Sequence, residues 1–396
     1  MGAAAGQSAF TLLSAQAKGA NDRIGIGFIG AGFRGNNHLT TVGRMTDAAE
    51  IVAVCDVYGP RLKAAAETTG AKPYKHFQEL LDDPRVDAVC IATPDRHHAP
   101  QAIEAVRRGK DVYVEKPLTH WSQFELAQQL ADEVRKHERI VQVGSQFAID
   151  DALPKIREKI KQGVVGKVVH VQAGCFRRGD WGERMPIPDP AAQPGADLDW
   201  KQFLGDAPPT AFSVSRFFQW RMFWDYAGGP ATDLLYHSLA PVFQVLDLGV
   251  PQRVMCGGGT LQYDREVPDQ CNILVDYEGG PTLSLTNSLS NFTGVDTMLR
   301  GTDGIVIWQG IDSGRPKGAR IVSTHKDAKE ELLPWTSMGV DAKLWENFLQ
   351  CVKSRQQPVA PVDYAVRIQL PMSMAILSHR KSVVAKYDSA SKTIIT

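Results

Sequence analysis

Ile24–His38 reads IGIGFIGAGFRGNNH, an apolar run that passes directly into a glycine-rich turn. Gly30, Gly32 and Gly35 have the spacing G-x-G-x-x-G. In such a turn the first glycine permits the tight bend, the second lets a pyrophosphate approach the backbone, and the third lets the next helix pack against the strand. The unpaired N–H groups at the start of that helix then face the phosphates. The stretch predicts a strand, a turn and a helix that bind a dinucleotide, with a purely structural turn as the alternative.

An acid at a suitable distance favours the dinucleotide. A second apolar run, Ile51–Cys55, ends in Asp56, which lies 21 residues after Gly35. Dinucleotide-binding units have a carboxylate at about this distance, where it accepts hydrogen bonds from ribose hydroxyls. Because the 2′-phosphate of NADP would meet a like charge at Asp56, the acid favours NAD. Arg61 follows five residues later and could offset that charge, so NADP stays open as the second choice.

The composition sets limits on the class of protein. A length of 396 residues predicts two domains. Lysine plus arginine and aspartate plus glutamate number 44 each, so the net charge of zero gives no reason to expect a nucleic-acid partner. No apolar run reaches the roughly 18 residues that a membrane span needs. The six cysteines show neither a C-x-x-C pair nor a metal-like spacing, so we expect no metal site and no disulfide framework.

The first 22 residues differ from the rest. Gly2–Leu13 is small and apolar, and Ala15-Gln16-Ala17 has the A-x-A form of a signal-peptidase site. We interpret residues 1–22 as the remnant of a secretion leader whose basic beginning is missing. Since a cofactor-binding enzyme exported in the folded state uses the twin-arginine route, this interpretation predicts a periplasmic or secreted protein. The alternative is an alanine-rich N-terminal arm on a cytoplasmic protein.

From residue 23 to 147 the chain alternates apolar strand runs with helical patterns. This alternation is typical of strand–helix–strand units in a parallel sheet. The predicted strands are Ile24–Ile29, Ile51–Cys55, Val86–Ala92, Asp111–Glu115 and Ile140–Val143, and the predicted helices are Arg61–Thr68, Ala99–Arg108 and Ser122–His137. We therefore predict that residues 23–147 form an α/β dinucleotide-binding domain.

Residues 148–396 follow a different pattern. After a helix at Leu153–Gln162 and a strand at Gly166–Phe176, a long loop rich in Pro, Gly and Asp runs to Asp199. Loops of this length are usually functional. Strands without intervening helices then indicate an antiparallel sheet: Arg253–Tyr263, Cys271–Tyr277, Thr282–Ser288, Thr297–Gly301, Ile305–Gln309 and Arg320–Thr324. Helices are predicted at Ala231–Leu246, Ala342–Ser354 and Asp363–Ala385. The second domain is predicted to be α+β, with a large, mainly antiparallel open sheet.

Polar residues follow three strands of the first domain, in the loops 93–98 (TPDRHH), 115–117 (EKP) and 144–146 (GSQ). Functional loops of a parallel sheet lie at the carboxyl ends of its strands. Lys116, followed by a proline at the mouth of a nucleotide site, is therefore predicted to be positioned for chemistry. A solvated lysine at a strand end is the alternative.

The second domain has one pair of residues suited to proton transfer. Asp233 and His237 are i and i+4 in a predicted helix, so they share a face within one turn. A carboxylate that fixes the tautomer of an imidazole makes it a good general base. The alternative is a first-turn aspartate favoured by the helix dipole, next to a structural histidine.

An aromatic run, Phe217–Tyr226, precedes this pair. Core packing is the commoner role for any one of these aromatic residues, but the position of the run favours a pocket wall that binds a sugar ring. The predicted substrate contacts are Arg177, Trp220, Arg221, Tyr226 and Tyr236.

These motifs together resemble the Gfo/Idh/MocA oxidoreductases. The chain has in order G-x-G-x-x-G, an acid after the second strand, T-P-D-x-x-H, E-K-P, and a glycine pair that leads into D-x-x-x-H. The resemblance extends from about Arg23 to the C-terminus. It implies a Rossmann domain followed by a substrate-binding domain whose open sheet is used for oligomerisation, in a homodimer or homotetramer.

The resemblance also implies roles for single residues. Lys116 and His237 would contact the reacting hydroxyl, with Asp233 beside them. The implied cofactor contacts are Gly30, Gly32, Phe33, Arg34, Gly35, Asp56, Thr93, Pro94, His98, Glu115 and Gln146. The cofactor would be NAD, with NADP as the alternative, and the substrate a sugar, polyol or glycoside.

Two other functions remain compatible with the same motifs. Some relatives are NAD-dependent glycoside hydrolases, which oxidise the sugar transiently, eliminate the aglycone and reduce the sugar again. A non-catalytic sensor that uses the fold to bind a ligand is the third class, although it would have no need for both Lys116 and the Asp233/His237 pair.

Overall fold

The computed structural model describes residues 23–179, 185–308, 318–324, 330–335 and 340–396. The predicted leader, residues 1–22, lies outside these described residues. In the part of the chain that is described, no helix combines the length and apolar character needed to cross a membrane.

The first domain is built on a six-stranded parallel sheet with the order β3-β2-β1-β4-β5-β6. Its strands are β1 (Ile24–Ile29), β2 (Ala49–Cys55), β3 (Lys72–Tyr74), β4 (Ala88–Ile91), β5 (Asp111–Glu115) and β6 (Val141–Gly144). Since β1 pairs with β2 on one side and β4 on the other, the strand order reverses at β1. A crevice forms at such a reversal, outside the carboxyl ends of the strands, and it is where open α/β sheets bind ligands.

Helices cover both faces of this sheet. They are α1 (Phe33–Val42), α2 (Gly59–Thr69), α3 (Phe77–Asp82), α4 (Asp95–Arg107) and α5 (Phe124–His137). In α5 the buried residues recur at helical spacing, from Phe124 through Ala127 and Leu130 to Val134. This apolar stripe faces the core, and the opposite face of the helix is polar.

The second domain has a ten-stranded mixed sheet with the order β14-β13-β12-β11-β7-β10-β9-β8-β15-β16. Only β7 and β10 pair in parallel among the pairings described. The strands are β7 (Val168–Phe176), β8 (Pro251–Gly259), β9 (Gln270–Tyr277), β10 (Thr282–Ser288), β11 (Thr297–Gly301), β12 (Gly304–Trp308), β13 (Gly318–Ser323), β14 (Glu331–Pro334), β15 (Ala385–Asp388) and β16 (Thr393–Ile395). The predicted fold class, a Rossmann domain plus a domain with a mainly antiparallel sheet, is confirmed.

The helices of the second domain are α6 (Ala152–Lys161), α7 (Trp200–Leu204), α8 (Val214–Phe218), α9 (Pro230–Asp233), α10 (Leu235–Val245), α11 (Val340–Ser354) and α12 (Val362–Lys381). Of these, α11 packs on the first domain, and α7 and α8 form a separate aromatic cluster. The others, α6, α9, α10 and α12, pack on one face of the large sheet. On the other face, Met255 of β8 and Leu274 of β9 lie directly opposite each other and are exposed. The sheet is therefore open on that side of the single chain.

Several predicted element bounds were wrong. The helix predicted at Ala231–Leu246 is two helices, because α9 ends at Asp233 and α10 begins at Leu235. The helix predicted to reach Ala385 ends at Lys381, where Ser382 adopts the left-handed conformation, and the chain continues as β15, which pairs with β8 and β16. The strand predicted to reach Tyr263 ends at Gly259, since the N–H groups of residues 261–263 donate to the Asp269 carboxylate instead of to a neighbouring strand.

One segment of the second domain crosses to the first. Residues 185–199, which we call the strap, run over the loop that follows β2. The N–H of Asp199 donates to the carbonyl of Val57 at 3.0 Å, and the N–H of Gly59 donates to the carbonyl of Asp197 at 2.8 Å. The hydroxyl of Tyr58 also donates to Asp189 at 3.0 Å. The long loop predicted from sequence therefore joins the two domains beside Asp56.

Candidate active site

A cavity of about 1190 Å³ lies between the two domains, at the carboxyl ends of β1, β4 and β5. Most of the residues predicted to form the site line it: Gly30, Gly32, Phe33, Arg34, Asp56, Thr93, Pro94, His98, Glu115, Lys116, Gln146, Arg177, Trp220, Arg221, Asp233 and His237. Gly35, Tyr226 and Tyr236 are absent from the lining. The structure therefore brings together, around one space, residues from both domains.

The glycine turn leaves room for phosphates. Gly30 has φ +93°, and a Cβ there would lie 2.7 Å from the carbonyl oxygen of Ala92. A Cβ on Gly35 would lie 2.0 Å from the carbonyl oxygen of Gly30, so this glycine permits the packing of α1 and does not reach the cavity. A Cβ placed on Gly32 would have no other atom closer than 3.9 Å, so this position is open. No side chain caps the start of α1. The open start of α1 therefore fits a pyrophosphate.

Asp56 lines the cavity and accepts hydrogen bonds from two backbone N–H groups. Its Oδ2 accepts from the N–H of Ala31 at 2.8 Å and its Oδ1 accepts from the N–H of Tyr58 at 2.9 Å. Burial raises the pKa of this carboxyl, and Arg61 together with the two N–H groups opposes that rise. Each carboxylate oxygen keeps a second lone pair, so both can still accept a hydrogen bond from a ribose hydroxyl.

Arg61 is a lining residue whose role the sequence left open. Its guanidinium lies 5.6 Å from the ring centroid of Tyr58 and 5.1 Å from that of Phe218. The ring of Phe217, also a lining residue, is 5.8 Å away. The cation is thus held over aromatic rings next to Asp56. The five-residue spacing from Asp56 indicated that Arg61 could lie near the cofactor. The sequence did not indicate that Arg61 would contact aromatic rings of the second domain.

Glu115 lines the cavity but uses its carboxylate to hold other residues. Its Oε1 accepts from Arg34 Nε at 2.7 Å and lies 2.8 Å from His38 Nε2. Because Nδ1 of His38 accepts from the indole N–H of Trp345 at 2.9 Å, Nε2 carries the proton and donates to Glu115. Burial alone would raise the pKa of Glu115, but Arg34 and His38 hold it well below its usual range.

Arg34 connects this network to the second domain. Its two terminal nitrogens donate to the two oxygens of Asp341 in α11, at 2.9 and 2.7 Å. The amide of Gln146, oriented so that both of its ends are satisfied, donates to the carbonyl of Gly144 and accepts from Arg34. The contribution of α11 had no sequence signal, since Asp341 lies 307 residues after Arg34.

Lys116 and Asp233 form a buried ion pair across the domain boundary. The Lys116 ammonium donates to the side-chain oxygen Oδ1 of Asp233 and, at 3.1 Å, to its backbone carbonyl. The two side chains are 9% and 11% exposed. Lys116 is therefore a positioned ammonium, and the alternative of a solvated lysine at a strand end does not describe it.

His237 lies at the same end of the cavity. Its Nδ1 is buried and has no hydrogen-bond partner among the described residues. Burial, followed by the charge of Lys116, lowers the pKa of His237 to about 3. The sequence predicted that Asp233 would hold this imidazole, but Asp233 Oδ1 binds Lys116, and the helix is interrupted between Asp233 and Leu235. The imidazole is neutral near pH 7 and can accept a proton.

His98 joins two loops. Its Nδ1 lies 2.7 Å from the carbonyl oxygen of Pro117 and its Nε2 lies 2.8 Å from that of Thr93. Burial lowers the pKa of His98 to about 4, so the ring is neutral and donates to only one of the two carbonyls at a time. It fixes the loops that carry Thr93 and Lys116, and both of its nitrogens are occupied by backbone.

Of the predicted substrate contacts, two lie elsewhere. Tyr226 is fully buried among the aromatic residues of α7 and α8. Tyr236 is also fully buried, and its hydroxyl accepts from Ser145 at 3.1 Å. Neither residue reaches the cavity, so their assignment as substrate contacts was wrong for this structure. Trp220, Arg221 and Arg177 line the cavity.

Comparison with known proteins assigns both domains to one family. Residues 24–145 match the model GFO_IDH_MocA, described as the NAD-binding Rossmann fold of an oxidoreductase family. Residues 150–396 match the model of the C-terminal alpha/beta domain of that oxidoreductase family. Together the two matches span nearly the whole of the described chain.

Single relatives agree with this assignment over shorter stretches. An inositol 2-dehydrogenase from Rubrobacter xylanophilus is 33% identical over 184 residues, which are 46% of this chain and 49% of that protein. The chain spans about half the length of the curated relatives it matches.

Solved structures share the fold over most of the chain. The WlbA dehydrogenase from Bordetella pertussis, in complex with NADH and UDP-GlcNAcA, has a TM-score of 0.69 at 19% identity and covers 92% of this chain and 99% of its own. A levoglucosan dehydrogenase in complex with NADH and levoglucosan has a TM-score of 0.70 at 17% identity, with the same coverage. At these identities the likeness shows the fold.

Proposed function

The chain belongs to the Gfo/Idh/MocA family of oxidoreductases, and on that premise we propose that it is an NAD-dependent dehydrogenase acting on a CH–OH group of a sugar or polyol. One observation carries the proposal: a buried Lys116–Asp233 pair and the neutral His237 lie together at one end of a cavity whose other end has the glycine turn and Asp56. A site that only bound a ligand would not need a charged ammonium and an unprotonated imidazole side by side.

NAD fits the residues better than NADP does. The N–H groups of Ala31 and Tyr58 already orient Asp56, and its charge would repel a 2′-phosphate. Arg61 is close enough to weaken that repulsion, which keeps NADP as a second choice.

The chain's own residues supply the acid–base and electrostatic parts of the reaction. When bound, NAD would supply the nicotinamide ring that accepts the hydride from the substrate carbon. His237, neutral because of its lowered pKa, accepts the hydroxyl proton. Lys116 stabilises the alkoxide that develops, and this stabilisation is strong because the ammonium is buried. Asp233 holds Lys116 in position across the domain boundary.

Two measurements test the proposal in order. The purified protein is denatured and the released nucleotide is identified by its mass, with NAD as the expected result. The full-length protein is then assayed with a panel of sugars, polyols and aryl glycosides by the absorbance of reduced nicotinamide. Net reduction of NAD with a sugar or polyol supports the dehydrogenase. Cleavage of a glycoside with no net absorbance change would contradict it and support the redox-assisted hydrolase.

We also propose that the open face of the large sheet forms an interface between copies of this chain. Leu274 and Met255 lie opposite each other there and are 43% and 39% exposed. Exposed apolar side chains in one patch are typical of an interaction surface. Light scattering on the purified protein tests for a dimer or tetramer, and a monomer at micromolar concentration would contradict the proposal. The location in the periplasm stays a prediction from residues 1–22.

A further inference from the structure

Arg221 occupies the wall of the cavity at the end where chemistry is proposed. It lies in the short turn Trp220–Met222 that precedes α9, and its side chain is 22% exposed. Its Nε is 3.8 Å from Oδ1 of Asp233, the atom that Lys116 binds. The guanidinium is therefore adjacent to the group proposed to act on the reacting hydroxyl, although nothing in the proposed reaction uses it.

The position of this guanidinium is defined, yet its donors are unused. The carbon at its centre lies 4.2 Å from the ring centroid of Trp220, which supports it from one side. Among the described residues, no hydrogen bond from its side-chain N–H groups is found, and its one ionic contact is the distant one to Asp233. A guanidinium has five N–H donors, and those of Arg221 can bind acceptors on a ligand in the cavity.

The charges at this end of the cavity favour an anion as that ligand. Lys116 and Arg221 share a single carboxylate, that of Asp233. Two further carboxylates, those of Glu115 and Asp341, are bound by Arg34. Oxidised nicotinamide carries a further positive charge. A neutral sugar would leave this excess uncompensated in a site of low dielectric, whereas an anionic group would neutralise it.

We propose that the substrate is an anionic polyhydroxy compound, a sugar acid or sugar phosphate, whose oxyanion binds Arg221 while a neighbouring hydroxyl reacts between Lys116 and His237. The inference rests on the proposed function, since it names the substrate class for the same site. The fork of an arginine matches the paired oxygens of both carboxylate and phosphate, so these two sources share one recognition chemistry.

The test compares neutral and anionic members of the same sugar series. The full-length protein with NAD is assayed with glucose, glucuronate and glucose 6-phosphate, and with galactose, galacturonate and galactose 6-phosphate. We expect kcat/KM to be at least about 10-fold higher for one anionic class than for the neutral sugars, in line with a charge-assisted hydrogen bond. Whether the acids or the phosphates gain identifies the source of the oxyanion.

Three variants assign the preference to Arg221. Arg221→Met removes the guanidinium and its paired N–H donors. It is expected to lower kcat/KM for the preferred anion by about 10- to 100-fold, mainly by raising KM. Arg221→Lys keeps the charge without the fork and should restore part of the loss. Arg107→Met removes one positive charge from an exposed site that does not line the cavity, and it should keep the preference of the wild type.

A binding measurement separates failure of this inference from failure of the proposed function. The same ligands are titrated into the NADH-loaded protein by calorimetry. If anions bind more tightly than neutral sugars and Arg221→Met abolishes the difference, the inference stands even where no hydride transfer occurs. If neutral sugars react or bind as well as the anions, or Arg221→Met affects both alike, the inference is overturned while a measured hydride transfer would still support the proposed function. Absence of binding by every anion also overturns it.

Discussion

At the scale of single residues, the site depends on which partner Asp233 takes. The sequence spacing predicted that Asp233 would orient His237, but the carboxylate binds the ammonium of Lys116 instead. This exchange has a chemical consequence. The charge of Lys116 adds to burial in keeping the pKa of His237 low, so the imidazole stays unprotonated. An unprotonated imidazole is the form that the proposed proton transfer requires.

Replacing Lys116 with alanine tests its role directly. The variant should lower kcat by about 100- to 1,000-fold, because it removes the ammonium proposed to stabilise the developing alkoxide. NAD should stay bound, since the contacts of the glycine turn and Asp56 are untouched. Kinetics and nucleotide content are measured on the same preparation.

Lys110→Ala is the matched control. Lys110 donates to the backbone carbonyl of Val86 at 2.6 Å and does not line the cavity. Its removal should leave kcat unchanged. A Lys116→Ala enzyme with wild-type turnover would exclude Lys116 from the reaction.

Asp56 and Arg61 make opposite contributions to cofactor choice. Asp56→Asn removes the negative charge but keeps an oxygen that can accept from the N–H of Ala31 or Tyr58. We expect the Kd for NAD to rise and the Kd for NADP to fall, because Arg61 then faces a 2′-phosphate without an opposing carboxylate. Titration of both nucleotides by fluorescence measures the change in preference.

The double variant Asp56→Asn/Arg61→Ala serves as the control. It should lose the improvement for NADP, since the attracting charge is gone. If NADP binding improves equally in both variants, repulsion by Asp56 alone decides the preference and Arg61 has no part in it.

The sequence predicted residues whose function depends on local spacing better than those that depend on tertiary packing. The glycine turn, Asp56 and Lys116 each follow a strand end, and strand ends are fixed by short apolar runs. Tyr226 and Tyr236 were assigned to the cavity because they lie near Asp233 in the sequence, but their rings point into the core. The pairing of Arg34 with Asp341 depends on how two domains meet, and no local pattern carries that information.

At the scale of elements, the strap decides how the nucleotide end of the cavity is covered. Its residues Pro186 and Pro188 line the cavity, and its backbone pairs with the loop after β2 that carries Tyr58. A nucleotide bound at Asp56 would lie under this contact. The loop was recognised from its length and composition, but its docking site was not, because the backbone hydrogen bonds that fix it leave no trace in the side-chain pattern.

Tyr58→Phe should speed the release of nucleotide. The change removes the hydrogen bond to Asp189 of the strap and keeps the ring that packs on Phe218. Loss of one hydrogen bond to a carboxylate is worth about 1.5 kcal/mol, or roughly a 10-fold faster release if the strap must open. Stopped-flow fluorescence of NADH chased by excess NAD measures the rate.

Tyr74→Phe is the matched control, because Tyr74 donates to Asp83 at 2.9 Å within the first domain and away from the strap. Its release rate should equal that of the wild type. Equal rates for the two variants would mean that the strap does not limit release.

Element ends were predictable only where the chain itself signals them. The predicted end of α5 at His137 agrees with the structure, since a cationic last turn and a left-handed Glu138 stop it. The break at Leu234 carries no proline or glycine, so the two helices were read as one. The helix was predicted to reach Ala385 because the apolar residues Val383, Val384 and Ala385 resemble a continuation of α12, although Ala385 already belongs to β15.

At the scale of the whole molecule, buried histidines collect where the two domains meet. Nδ1 of His38 accepts a hydrogen bond from the indole N–H of Trp345. Nε2 of His97 lies 2.7 Å from the carbonyl oxygen of Phe203, and Nε2 of His120 lies 2.8 Å from the carbonyl oxygen of Trp224. His98 and His237 lie beside them at the cavity. Burial lowers the pKa of all five, to about 4 for His98 and about 3 for His120 and His237. The interface is thus built around neutral imidazoles.

This arrangement predicts that acid destabilises the folded protein well above the titration range of carboxylates. In the unfolded chain a histidine takes up a proton near pH 6.5, whereas in the folded state these five do so only at lower pH. Below pH 6.5 the unfolded state therefore binds more protons, and stability falls as the pH decreases towards the lowered folded-state pKa values. His98, His120 and His237, whose pKa values are lowered to about 3 or 4, each contribute a loss of about 1 kcal/mol between pH 6.5 and 5.5. The urea midpoint, followed by tryptophan fluorescence, should stay constant above pH 7.5 and fall steeply from pH 6.5 to 5.5.

The variant His38→Gln tests the contribution of one histidine. Glutamine keeps a donor and an acceptor but cannot take up a proton, so the variant should lose less stability over this pH range than the wild type. A midpoint that is the same at pH 7.5 and 5.5 would mean that these imidazoles accept protons in the folded state, and the assignment of a neutral His237 would fall with it.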